Sequence, residues 1–319
     1  KNPAMRDFPI LRINDSPHPR QGEKYRVWPL MNFAVAIDDH ENGVTHTVRG
    51  KDHVDNEKRQ EHIFDYFSWK IPEHLYIGRI NFEGMEVSCS KTRKLIEEGK
   101  ITSWDDIRIP FLLPLKKRGY QPDAFIKYAL DMGVTLNDKH VPKDDFFKTL
   151  NAFNKEIIDY SSNRYFFVEN PVKIEIINAP EKNVKIALYP EDEQRGLREF
   201  STGSIFYIAK KDFDELKEKK IYRLMDCLNF VKKGSLFEFH SEDYKIFKEK
   251  GDKIMHWVPE EAGNFKVSIL MPDATTVSGI GERNLALLKE GDVCQLERFG
   301  FCRLNKKEKN ELVFWFGHR

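Results

Sequence analysis

The chain has 319 residues, 40% of them hydrophobic, which is too long for one ordinary core and enough apolar material for two or three domains. Lysine plus arginine number 52 against 51 acidic residues, so bulk attraction to a polyanion is excluded, and any nucleic-acid contact needs basic side chains clustered on one face. The four cysteines (Cys89, Cys227, Cys294, Cys302) lack paired zinc spacing, no signal peptide or long uncharged apolar run is seen, and mean hydropathy is -0.59, which fit a soluble protein of a reducing cytoplasm.

Residues 1–26 are punctuated by Pro17, Pro19 and Gly22 and read as loop, with a strand over 8–13. Residues 31–37 read as a buried strand or the start of a helix. Over 55–69, Ile63, Phe64 and Phe67 share one helical face while Glu57, Lys58, Arg59 and Glu61 stay wet. Residues 74–82 read as one strand ending at the Glu83-Gly84 turn. This βα alternation predicts the late part of a doubly wound sheet, with ligands at the carboxyl ends of its strands. From Lys91 to about Tyr165 the pattern is helical: 123–132 stops at Gly133, and 143–160 spaces Phe146, Phe147, Leu150, Phe153 and Ile157 as a helix does. Beyond Phe166, short β-branched or aromatic segments over 172–177, 184–189, 204–208, 224–230, 265–271, 291–296 and 312–316 predict β-barrels or sandwiches. The change from helices to strands near residue 168 marks a domain boundary.

Three sets of residues carry chemistry. Val87-Ser-Cys-Ser-Lys-Thr-Arg93 places Lys91 between small hydroxyl residues in a loop just before a helix. Hydroxyls and backbone N–H groups supply neutral donors and the ammonium a mobile charge, which suits a phosphate; the alternative is the basic start of an exposed helix. Arg49, beside a buried-looking Val48, needs an anion, either a ligand carboxylate or an internal partner such as Asp38 or Asp52. Gln295 and Glu297 alternate onto one strand face, with Arg298 near a bend at Phe299-Gly300. Arginine and glutamine suit the exposed edges of unpaired bases, and an ordinary solvated face is the alternative, as it is for Arg223. His40, His46 and His53 with Asp38, Asp39, Asp52 and Asp55 show no helical ligand spacing, so no metal site is predicted.

The order of these segments resembles a class I aminoacyl-tRNA synthetase, of the archaeal and eukaryotic glutamyl type, over nearly the whole chain. The matching runs include Lys1-Asn-Pro-Ala-Met-Arg-Asp7, His18-Pro-Arg20, Val27-Trp-Pro-Leu-Met-Asn-Phe-Ala34, Asp38-Asp39 and Arg49-Gly-Lys-Asp-His53. Trp104-Asp-Asp-Ile-Arg-Ile-Pro110, Ala152-Phe-Asn-Lys155 and Gln295-Leu-Glu-Arg-Phe-Gly-Phe301 follow.

The resemblance implies ATP-dependent activation of glutamate and its transfer to tRNA(Glu), with Mg²⁺ arriving with ATP. Lys91 matches the second lysine of the K-M-S-K-S signature, preceded by Ser90, and Ser88 stands at the first lysine, leaving Arg93 or Lys94 to compensate. Arg79 and Ile80 match nucleotide-contacting positions, Arg49 matches the amino-acid pocket, and Met31 replaces a tyrosine that touches the amino acid in many relatives. Gln295, Arg298 and Arg164 match residues that hold the middle anticodon base in the related glutaminyl enzymes, and Met225 falls near their reader of the third base. The implied layout is a Rossmann-type catalytic portion (1–90), a helical stem-contacting region (91–167) and two β-barrels (168–319), the distal one over about 200–262. No H-I-G-H segment occurs, so the reading expects the carboxy-terminal portion of a longer cytoplasmic enzyme, inactive alone, its oligomeric state open with a monomer favoured. A glutaminyl enzyme and a non-catalytic tRNA-binding fragment are the alternatives.

Overall fold

A computed structural model describes residues 5–319, so Lys1 to Ala4 of the first matching run lie outside the described residues. The chain divides into two compact units, Lys1–Gly84 with Ala129–Lys143, and Met85–Tyr128 with Asp144–Arg319.

In the first unit the strands His46–Gly50 and Glu73–Ile77 run parallel, joined by the helix Val54–Phe67. The expected amphipathic pattern packs this helix: Ile63 and Phe64 are buried with Ala36 of the helix Met31–Glu41, whereas Phe67 is half exposed. Residues 31–37 are therefore helix, and Met31 is its half-exposed first residue. The strand expected over 74–82 is broken in two. Gly78 lies against residue 137, where a Cβ would come within 2.1 Å of the Asn137 carbonyl oxygen. Arg79 N–H donates to Asp138 Oδ1 (2.7 Å), and Ile80–Glu83 pairs in parallel with Lys139–Pro142, a strand the helical reading of that region missed.

In the second unit the helix Cys89–Glu97 opens on Ser88, whose Oγ accepts the Lys91 N–H (3.4 Å). Ser90 and Lys91 thus sit in the helix's first turn instead of in a preceding loop. Asn154, 1% exposed, accepts the Gln121 N–H (2.8 Å) and reaches His318 Nε2 (2.9 Å), while Arg118 donates to the Phe316 and Gly317 carbonyls (3.0 and 2.7 Å). These bonds fasten the helical segments of this unit to the last strand of the chain.

Two seven-stranded sheets follow. One takes Pro171–Ile177, Ile205–Ala209, Ile221–Leu224, Asn229–Lys233, Leu236–Ser241, Gly251–Met255 and Val258–Pro259 around a core of Phe200, Phe206, Tyr222, Phe230 and Trp257. Its strands begin at Pro171, upstream of the start near 200 expected for the distal barrel. The other joins Arg164–Tyr165 and Phe167–Glu169 to five strands between Phe265 and His318, so the two ends of the β region share one sheet. Neither sheet is closed by a ladder between its end strands among the described residues. The end strands Arg164–Tyr165 and Val258–Pro259 have two residues each, and proline offers no N–H to a ladder. The single strand expected over 224–230 is a hairpin turning through Asp226, which adopts φ 53°. The hairpin Lys182–Ala187 with Leu197–Thr202 completes the region.

Candidate nucleotide and nucleic-acid sites

Arg49 is held on two sides. Its Nη1 donates to Gln60 Oε1 (2.6 Å) and its Nη2 meets Asp39 Oδ2 (3.1 Å), with the arginine side chain 15% exposed. Gln60 in turn donates to Asn32 (3.3 Å). The internal partner is Asp39, one residue from the Asp38 considered, and Val48 faces outward at 59% exposure instead of being buried. Alternation along the strand explains this: Thr47 and Arg49 share the inner face, and Val48 and Gly50 point to the opposite, exposed one. Met31 and Ile80 are both partly exposed, and Arg79 is exposed with its backbone N–H fixed by Asp138.

Around Lys91, Glu86 is the local anion. Its carboxylate accepts the Ser88 N–H (2.9 Å) and faces Lys91 Nζ at 3.1 Å, and the Ser88 bond followed by the Lys91 bond holds its pKa below the usual carboxylate range. The Lys91 side chain is 72% exposed, so this pairing is a solvated contact that an incoming polyanion can displace. Among the described residues no group of three or more His, Cys, Asp or Glu side chains converges as a metal site.

The residues expected to read unpaired bases gather at one end of the second sheet. Arg164 and Gln295 stand opposite each other in the parallel pair Arg164–Tyr165 with Val293–Leu296. Arg164 Nε and Gln295 Oε1 are both buried and lack a hydrogen-bond partner, a donor and an acceptor on adjacent strands. The Arg164 guanidinium lies over Tyr189 at 5.0 Å. Arg298 adopts φ 59° in the turn that follows, and its Nη1 donates to the Ile254 carbonyl of the other sheet (2.9 Å).

Arg223 is corrected by the structure. It is 6% exposed, and its Nη1 donates to Asn229 Oδ1 (2.9 Å) and the Glu242 carbonyl (3.1 Å), so it is a buried strut and not a group on a solvated face. Met225 packs against the first sheet's core.

Sequence reasoning missed what holds this end together. Arg198, 1% exposed, donates to Glu282 Oε2 (2.8 Å) and Glu297 Oε1 (2.9 Å) while lying over the Phe166 ring at 4.6 Å. Burial pushes both carboxyls upward in pKa, and it drives His256, stacked on Phe166, down to about 3. The signal was available: Arg198 and Phe200 alternate onto the same apolar face of their strand.

Comparison with known proteins decides the family. Residues 1–159 match the tRNA synthetases class I (E and Q) catalytic domain, and residues 162–240 and 254–305 match two anti-codon binding domains of the same class. The chain belongs to the class I (E and Q) tRNA synthetases. Within that family it is of archaeal glutamate–tRNA ligase type, an α/β catalytic portion followed by β-rich anticodon-binding domains. It is 40% identical to the glutamate–tRNA ligase of Methanocaldococcus jannaschii, 43% to that of Pyrococcus abyssi and 42% to that of Pyrococcus furiosus, each over 100% of this chain. The chain spans 57%, 56% and 56% of the length of those synthetases. Among the described residues no helix is long and apolar enough to cross a membrane.

Proposed function

We propose that the chain is part of a glutamate–tRNA ligase that activates glutamate with ATP and transfers it to tRNA(Glu). The observation that supports this most is the unbroken order of catalytic and anticodon-binding matches along one chain whose relatives are glutamate–tRNA ligases. Negative charge grows on the departing pyrophosphate, so catalysis rests on positioning and charge neutralisation. In this reading Ser90 and Lys91 meet the phosphates, and Arg79 and Ile80 meet the nucleotide. Arg49, fixed flat by Asp39 and Gln60, offers its free edge to the glutamate side-chain carboxylate near Met31. Mg²⁺ enters with ATP. The chain holds no H-I-G-H segment, so adenylate formation is assigned to the whole protein.

Arg164, Gln295 and Arg298 are assigned to the middle anticodon base, Arg223 being withdrawn to a supporting role. Residues 1–90, 91–167 and 168–319 then serve as catalytic portion, stem-contacting helices and anticodon-binding barrels of a cytoplasmic enzyme. Charging assays on the whole protein test the assignment. Glutamate should be attached to tRNA(Glu), and glutamine should not. Preferential charging with glutamine would replace the glutamyl reading by the glutaminyl one.

A further inference from the structure

The sequence pointed to Arg223 as a basic contact, and the structure puts that guanidinium behind a ring. Arg223 lies 5.3 Å from the centroid of Tyr244, whose side chain is 52% exposed. The ring is held from both directions. Asn229, itself fully buried, accepts from Arg223 and donates to Ser241 Oγ (2.9 Å) and to the Asp243 carbonyl (2.8 Å) immediately before Tyr244. Asp243 Oδ1 accepts the Lys245 N–H (2.7 Å), which fixes the start of the helix Tyr244–Lys250. An exposed aromatic ring backed by a pinned cation has little conformational freedom left to lose on stacking.

The surroundings select the ligand. Lys245 and Lys248 are exposed on the same short helix and have no ion-pair partner among the described residues. Of the neighbouring carboxylates, Glu242 pairs with Lys182 (3.1 Å) and Asp243 is the helix cap, while Glu249 is exposed on the same helix four residues after Lys245. A π-face beside free ammonium groups fits an unpaired base with its phosphate. Its location selects the nucleotide. Arg223 stands opposite Ile254 in the parallel ladder, and Ile254 is the residue whose carbonyl anchors Arg298. The backbones of Arg223 and Ile254 are thus cross-strand neighbours, about 4.8 Å apart, so the strand that carries the strut lies beside the strand that anchors the base-reading turn.

We infer that Tyr244 is a stacking site for the nucleotide adjacent to the base met by Arg164, Gln295 and Arg298, with Lys245 and Lys248 on its phosphate. This rests on the anticodon-reading proposal above. The site contributes affinity through the π-face, which every base possesses, and Arg223 acts through the ring without touching RNA.

Filter binding of this chain to tRNA(Glu) transcripts, intact or abasic at each anticodon position, tests it. Tyr244→Ala should weaken binding about tenfold and Tyr244→Phe less than about twofold, as stacking on an aromatic face requires. The Tyr244→Ala loss should vanish on the transcript abasic at one of the two positions flanking the middle base. Lys245→Ala should lower the slope of log affinity against log salt by about one. Wild-type affinity for Tyr244→Ala, or a loss that persists on every abasic transcript, would overturn the site. Gln295→Ala and Arg298→Ala separate the two ideas. If they weaken binding while Tyr244→Ala does not, only the stacking site fails; if all three bind every transcript as the parent does, the anticodon assignment fails as well.

Discussion

Arg198 and Glu282 form an ion pair of 2.8 Å whose side chains are 1% and 0% exposed, and the same guanidinium holds Glu297 at 2.9 Å. One cation thus ties the Leu197–Thr202 strand to two separate segments of the second sheet. Glu297 lies between Gln295 and Arg298, so the pair also sets the turn that carries both.

Truncating the cation should be costly. Arg198→Met leaves two buried carboxylates without their counter-ion, Glu282 keeping only neutral donors such as the Phe166 N–H (2.6 Å), and losing one member of a buried pair typically costs about 3–5 kcal/mol. Both carboxyls are already raised in pKa by burial, and without Arg198 they rise further. A carboxyl raised in the folded state contributes stability that is present below the unfolded pKa and is lost as pH rises through the folded one. The deficit of Arg198→Met should therefore be larger at pH 8 than at pH 5.5 in urea denaturation, and a pH-independent deficit would contradict the buried-pair account.

His256 titrates with the opposite sense. Its folded pKa is lowered to about 3 by burial, then by Arg298 and Arg198, although Glu297 Oε2 lies 4.0 Å from its Nε2. Burial dominates because Glu297 is itself raised and engaged by Arg198. The unfolded chain binds a proton near pH 6.5 and the folded chain does not, so stability is full above 6.5 and falls as pH drops toward 3. Between pH 6.5 and 5 the loss should be about 2 kcal/mol. His256→Phe, which keeps a ring against Phe166, should flatten that interval in denaturation experiments.

Lys91 offers a functional test with a structural control. Its partner Glu86 is exposed enough that the contact adds little to stability. Lys91→Ala in the whole protein should lower kcat for charging by about 10²–10³-fold, the scale of losing one positioned charge-stabilising group. The melting temperature should not move. Unchanged charging would remove the phosphate role.

Asp106 anchors the Trp104–Pro110 run. It is 7% exposed, accepts Thr102 N–H and Oγ1 (3.1 and 3.0 Å), and takes Arg108 Nε and Nη2 (2.8 and 2.6 Å). The Arg108 bonds depress its pKa strongly, so its contribution is full above the unfolded pKa of about 3.9 and is lost only in stronger acid. Asp106→Asn should cost about 2 kcal/mol at neutral pH, measured by chemical denaturation.

The sequence conveyed local periodicity well and long-range pairing poorly. Residues 54–67 and 143–158 are helices because their apolar spacing is strong and uninterrupted. The break at Gly78 was invisible because its cause, the close approach of Asn137, lies about sixty residues away along the chain. Strands such as Leu197–Thr202 and Gly300–Lys307 went unread because charged residues interrupt their apolar signal. For the candidate sites, identity was legible and environment was not. Gln295 and Arg164 could be named from matching runs, whereas the inward turn of Arg223 depends on Asn229 and the Glu242 carbonyl. Tyr244 carried no motif and emerges only from what lies beneath it.

The sharing of one sheet by Phe167–Glu169 and Thr276–Gly281 has a consequence for biosynthesis. The earlier strand leaves the ribosome long before its partner, while every ladder of the Pro171–Pro259 sheet lies within the intervening stretch. That sheet can close on the nascent chain first, while the Phe167–Glu169 edge stays unpaired over the roughly one hundred residues between it and Thr276, the interval in which premature association is most dangerous.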